Sequence, residues 1–120
     1  VRSIIDGLGA SHNKQVVLAE TAYPFTSGWK DDVHNVVGEN GEVDGYPLSK
    51  QGQKNFLLKI REIVTDSPKG AGFCYWGSEW VAFTGHIEIG GEIENGSTWE
   101  NQALFDFDNK ALPALEAFKE

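Results

Sequence analysis

The chain is 120 residues long, 40% hydrophobic, and carries a formal net charge of −8. That length supports one small domain with a real core, and the acidic balance excludes nucleic acid and anionic membrane surfaces, which require basic patches. The sequence holds no run of about 18 apolar residues that could span a bilayer, whereas a neutral polymer such as a polysaccharide is a compatible partner.

Residues 1–8 have helical apolar spacing and run into Gly7, Gly9 and the polar cluster Ser11-His12-Asn13-Lys14, which predicts a helix end and a loop. The opening residues carry no signal-peptide pattern, and a chain that starts in mid-pattern is expected to be an excised piece, which leaves secretion open. The run Val16-Val17-Leu18-Ala19 predicts a parallel strand over 15–21, covered on both faces. Glu20 ends it. A carboxylate at the tip of a buried strand must face a cleft or find a partner, because desolvating it is costly. Residues 23–47 are rich in Gly, Asp, Asn and Pro without periodicity, and long loops of this kind tend to be functional. Ser49 is placed to cap a helix whose apolar positions Phe56, Leu57, Ile60, Ile63 and Val64 share one face, and the segment Asp66-Ser67-Pro68-Lys69-Gly70 breaks it. Residues 71–76 predict a second buried strand, with Cys74 as an inert, buried thiol. Cys74 is the one cysteine, so no intrachain disulfide can form. A second long loop, 77–101, precedes Ala103-Leu104-Phe105-Asp106-Phe107, and 111–120 predicts a short amphipathic helix with Pro113 in its first turn.

The order strand, long loop, helix, strand, long loop, helix predicts a parallel pair joined by a crossover helix. Both long loops then leave the C-terminal strand ends, the catalytic face of an α/β barrel. A closed barrel needs about 250 residues. The fold class is therefore α/β, about the last two βα units of a (β/α)8 barrel, incomplete as a barrel on its own.

Several side chains on that face have suitable chemistry. Retaining glycoside hydrolysis uses a carboxylate nucleophile and a second carboxyl that serves as acid and then base. Glu20 suits the nucleophile, and Tyr23 is near enough in sequence to share its site. Trp76 ends the second strand as Glu20 nearly ends the first, so its indole could form a platform for a sugar ring. Trp29, Trp80 and Trp99 fall in the long loops, where exposed tryptophans line binding grooves. Glu79 is a second carboxyl near that face, but it leaves the same strand as Trp76 and is expected to point away from Glu20. Asp31, Asp32, His34 and Asn35 form an oxygen-rich cluster compatible with calcium, although they lack the alternation of a dedicated calcium loop. His12 and His86 have no partners at zinc-ligand spacing.

Three motifs carry a resemblance: Ala19-Glu20-Thr21-Ala22-Tyr23-Pro24, then Gly72-Phe73-Cys74-Tyr75-Trp76 with Trp80, then 99–107 (Trp-Glu-Asn-Gln-Ala-Leu-Phe-Asp-Phe) with Ala111-Leu112-Pro113. In that order they resemble the C-terminal part of the endo-β-1,4-galactanases of glycoside hydrolase family 53. The resemblance implies that residues 1–120 are the C-terminal segment of the catalytic domain, strands seven and eight of the barrel. It implies that Glu20 is the nucleophile on the seventh strand and Trp76 the sugar-stacking tryptophan on the eighth; Tyr23, Trp80 and Trp29 are expected as further substrate contacts from their own positions, with packing of the loops as the alternative. It implies cleavage of galactan or arabinogalactan side chains of pectin with retention, no required cofactor, and an extracellular, cell-surface or periplasmic parent. Where many members read Trp-Glu-Pro-x-Trp, this chain has Trp76-Gly77-Ser78-Glu79-Trp80. The family's acid/base glutamate lies on the fourth strand, which nothing here resembles, so the 120-residue chain alone is expected to be inactive. The competing readings are a non-catalytic carbohydrate-binding module and a half-barrel that associates with itself through open sheet edges.

Overall fold

The computed structural model describes residues 1–85, 87–89 and 92–119. Its helices and strands are α1 (Arg2–His12), β1 (Val16–Thr21), α2 (Lys50–Asp66), β2 (Gly70–Tyr75), β3 (Ile87–Ile89) and β4 (Glu92–Glu94). Helix α1 ends where Asn13 turns left-handed (φ 48°) and donates its N–H to Gly9 O, a local solution open to asparagine. The helix predicted over 1–8 therefore runs a full turn further.

Strands β1 and β2 pair in parallel, with α2 as the crossover between them. Ser49 caps α2, its hydroxyl accepting the Gly52 N–H at 3.0 Å. Gly52 is required by a close approach: a Cβ there would lie 1.8 Å from Pro47 O, so the incoming loop can fold against the first helical turn. Leu57, Ile60 and Val64 from the predicted apolar face are buried, together with Gln53. The helix ends as Ser67 donates its hydroxyl to Ile63 O (2.8 Å), with Pro68 following.

The core forms where α2 meets β2 and the chain's C-terminal segment. Leu57, Leu104, Ala114 and Ala117 are its buried centre, with Phe56, Phe73, Tyr75 and Leu115 packed around them. Residues Pro113–Phe118 form a 3-10 segment rather than the predicted α-helix. A three-residue repeat aligns Ala114 and Ala117 along one edge, so the turn lies close against α2.

The sheet is covered on one face only. Phe73 and Tyr75 pack toward the core, whereas Val17, Ala19 and Cys74 are exposed. The expectation that β1 is covered on both faces and that Cys74 is buried is not met, because two strands and one crossover helix leave the opposite face open. The second long loop also differs from expectation: it contains the antiparallel hairpin β3–β4, registered as Ile87↔Glu94, Glu88↔Ile93 and Ile89↔Glu92. His86 lies outside the described residues. Among the described residues, no helix is long and apolar enough to cross a membrane.

Below the core, Asp106 organises a tight turn. Its Oδ1 accepts from the N–H groups of Asp108 and Lys110 (both 3.0 Å) and its Oδ2 from Lys50 Nζ at 2.6 Å. The lysine bond first, then the backbone donors, hold its carboxyl down at about 2, from an ordinary 3.8. A depressed carboxyl stabilises the fold above its unfolded value and loses that contribution as pH falls toward the folded one. Asp106→Asn should therefore lower the urea midpoint of the full-length protein at neutral pH, with the difference from wild type closing between pH 3.8 and about 2. A gap that persists unchanged through that window would show the charge to be irrelevant.

Candidate functional site

The cleft lies at the C-terminal ends of β1 and β2 and is lined by Glu20, Thr21, Ala22, Trp76, Trp99 and Gln102, enclosing about 420 Å³. How Glu20 reaches it is written in the strand register. Leu18 pairs with Phe73 and Thr21 with Tyr75, so three steps on β1 oppose two on β2. One extra residue is accommodated there, the arrangement of a β-bulge, a device that re-aims side chains beside functional sites. Exposure follows it: Val17 and Ala19 alternate with half-buried Val16 and Leu18, and Glu20 then breaks the alternation by being exposed directly after Ala19.

Trp76 is set beside this tip because its N–H continues the ladder to Thr21 O at 2.9 Å. Its ring meets two others. Trp99 stands edge-on to it at 4.8 Å and 86°, and Trp80 lies at 4.8 Å and 50°. Perpendicular and tilted contacts of this kind are favourable for aromatic quadrupoles and rigid at low entropic cost. Three tryptophans thus form one apolar group, of which Trp76 and Trp99 line the cleft with Glu20.

Trp99 and Gln102 come from the 3-10 turn Glu100–Gln102 and its leading residue, where a spacing of three brings them to one side. Gln102 N donates to Trp99 O (2.9 Å), and Gln102 O accepts the Tyr75 hydroxyl at 2.7 Å. Burial pushes that hydroxyl up to about 12, against the hydrogen bonds to Tyr23 and Gln53, so it stays protonated and able to donate near neutrality. Gln102 is 5% exposed, and its Nε2 has no partner among the described residues.

The structure separates the other candidates from the cleft. Tyr23 is 2% exposed: its ring stacks on Phe56 at 4.3 Å, and its hydroxyl donates to Tyr46 O while accepting the Val43 N–H at 3.0 Å. It pins the first long loop to α2. Trp29 is half exposed and rests on the His34 ring at 4.2 Å, outside the cleft lining. Trp80 belongs to the aromatic group through Trp76 but does not line the cleft. Glu79 is exposed and bonded to Ser78 Oγ at 2.8 Å, which holds its carboxyl below the usual range. Glu20 is the one carboxylate lining the cleft among the described residues.

The oxygen-rich cluster does not converge on a common point either. Asp31 is 5% exposed and spends its two oxygens on the N–H groups of Val33 (2.9 Å) and Ser97 (2.6 Å). Asn35 bonds Gly28 O and the Asn101 N–H. Glu100, 1% exposed, accepts the Lys30 N–H at 2.5 Å; burial pushes its carboxyl up. Among the described residues, no three His, Cys, Asp or Glu side chains gather around a metal position. A larger concavity of about 620 Å³, bounded by Arg61, Phe73 and Phe118, has no carboxylate in its lining and so offers no acid to a hydrolytic reaction.

Sequence reasoning placed Thr21, Ala22 and Gln102 in the motifs that carry the resemblance but gave them no role in the site. The signal for Gln102 was its three-residue interval from Trp99 after a Gly-Ser-Thr stretch, too short to announce a turn by periodicity.

Residues 1–118 match the profile of Glycosyl hydrolase family 53. The arabinogalactan endo-beta-1,4-galactanase of Cellvibrio japonicus is 38% identical over 91% of this chain and 28% of its own length. The endo-beta-1,4-galactanase of Bacillus subtilis is 28% identical over 98% of the chain and 34% of its own length. Among solved structures, the family 53 catalytic domain of Ignisphaera aggregans superposes with a TM-score of 0.85 at 36% identity, covering 98% of this chain and 33% of that one. The chain thus spans about a third of the relatives it matches, and its parallel pair with a crossover helix is part of a (β/α)8 barrel. With the match running through nearly every residue, this chain belongs to glycosyl hydrolase family 53.

Proposed function

We propose that this chain is the segment bearing strands seven and eight of a retaining endo-β-1,4-galactanase and that Glu20 is its nucleophile. The observation that carries the reading is the bulge that turns Glu20 out of the strand alternation into a cleft walled by Trp76 and Trp99. A Glu20 oxygen attacks the anomeric carbon as the glycosidic bond breaks, and the departing oxygen takes a proton from a carboxylic acid about 5 to 5.5 Å away. Water, deprotonated by that same second group, then releases the sugar with its configuration kept. Two carboxyls and water suffice, with no cofactor. Among the described residues Glu20 is the one carboxylate in the cleft lining, so on this reading the acid/base comes from a part of the barrel outside this chain, and the 120 residues by themselves are inactive. Trp76 takes the apolar face of a galactosyl ring, and Trp80 extends that platform.

The names of the relatives support galactan or arabinogalactan as the substrate on this reading, and an exported parent is the form that meets such a polymer outside the cell. The charge of −8 is no obstacle to a neutral polymer. The test is to incubate the full-length parent with linear β-1,4-galactan and follow by proton NMR the anomer first formed. Initial β-anomer supports the double displacement. Initial α-anomer would remove the nucleophile from Glu20, and binding without any cleavage would favour a carbohydrate-binding module.

A further inference from the structure

Of the bonds that tie the cleft turn to the opposite rim loop, four converge on one residue. Asn101 is completely buried; its Nδ2 donates to Thr26 O at 3.0 Å and Val37 O at 2.7 Å. Its backbone carbonyl accepts the Phe25 N–H at 2.8 Å, and its own N–H reaches Asn35 Oδ1 at 3.3 Å. One residue of the second long loop therefore holds residues 25, 26, 35 and 37 of the first. Neighbouring bonds run in parallel with it, from Val36 N to Thr98 O at 2.9 Å and from Ser97 N to Asp31. Trp99 and Gln102 flank Asn101, and both line the cleft.

We propose that Asn101 is a positioning residue: it latches the two rim loops so that Trp99 stands edge-on to Trp76 beside Glu20, and it thereby sets how firmly the polymer is held. The inference rests on the galactan reading of this cleft. An amide suits the task because its two coplanar donors satisfy two fixed carbonyls at once. Aspartate has the same shape but no donor, and an aliphatic side chain would bury both carbonyls unpaired. Displacing a positioned group by about 1 Å is enough to cost on the order of 10²-fold in a well-ordered site.

The experiment uses the full-length parent with two variants, Asn101→Asp and Asn35→Ala, the second removing the acceptor for the Asn101 N–H together with a donor to Gly28 O inside the first loop, and leaving the Asn101 amide in place. For Asn101→Asp the KM for galactan should rise about tenfold with kcat held within about threefold, the pattern of lost substrate binding rather than lost chemistry. Asn35→Ala should move the same constant in the same direction by less. The exciton couplet of the Trp76–Trp99 pair, defined as the circular-dichroism difference between wild type and Trp99→Phe, should shrink in both. A fall in kcat with KM unchanged would mean only that less enzyme is folded and would overturn the proposal, as would an unchanged KM and couplet. Should Asn101→Asp fail to fold, Asn35→Ala decides by the same criteria. If the wild-type parent cleaves no galactan, the galactanase reading fails, and the couplet alone decides whether the latch sets Trp99.

Discussion

Glu20→Gln in the full-length parent is expected to lower kcat on galactan by about 10⁴-fold while galacto-oligosaccharide binding survives. Glutamine keeps the shape and the bulge but cannot form the glycosyl ester, so the step that divides one difficult displacement into two easier ones is lost. A 10⁴ fall corresponds to roughly 5.5 kcal/mol of barrel-derived transition-state stabilisation at 1.36 kcal/mol per tenfold. The tryptophan contacts at 4.8 Å do not involve Glu20, so affinity should change little. Measuring kcat by reducing-end release and affinity by titration calorimetry separates the two. Hydrolysis within tenfold of wild type would remove the carboxylate from the mechanism, and rescue by added azide of Glu20→Ala, whose shortened side chain leaves room for the anion, would support its place there.

The second large effect is on stability. Gln53 is fully buried on α2, and its Nε2 donates to Tyr23 O at 2.9 Å and Ala103 O at 3.0 Å. It thereby joins the crossover helix to the start of the first long loop and to the chain just past the end of the second. Gln53→Leu nearly preserves volume but leaves the Ala103 carbonyl without a donor, worth about 1 to 3 kcal/mol, and leaves Tyr23 O with the Tyr75 hydroxyl alone at 3.2 Å. The expected loss is about 2 kcal/mol, seen as a lowered urea midpoint of the parent with tryptophan emission as the probe. A loss below about 0.5 kcal/mol would show that water or a rearranged donor replaces the amide.

The sequence carried α2 and the strand order well because their signals are local. Ser49, the apolar stripe and Pro68 each act within a few residues of where they stand. The candidate cleft was legible at Glu20 and Trp76, whose positions follow from standing at the C-terminal ends of the two strands. Tyr23 and Trp29 were harder, since an aromatic residue in a loop can face a groove or fasten the loop, and which it does depends on a return of the chain. The Tyr23 hydroxyl is claimed by residues 43 and 46, some twenty positions on. The hairpin β3–β4 had a readable pattern, with alternation over Ile87-Glu88-Ile89 and Glu92-Ile93-Glu94 about two glycines. Its strands are only three residues long, which let it pass as loop. Cys74 misled for another reason. Its apolar neighbours do pack inward, and alternation therefore turns the thiol to the face that a closed barrel would cover with the remaining strands.

The extra residue near Glu20 gives β1 something like a reading frame. Side chains along a strand are sorted by odd and even position, and before Ala19 this strand sends every second one toward α2. Counted strictly, Glu20 would fall in the same class as Leu18 and be delivered to the helix layer, where a carboxylate has no water and no sugar to meet. The added step resets the parity at the last moment, so the strand obeys the core for its first half and the chemistry for its second. A change that regularised the pairing between Leu18 and Thr21 without shortening the strand would therefore do more harm than most substitutions, since it leaves every side chain chemically intact and sends the decisive one to the wrong address.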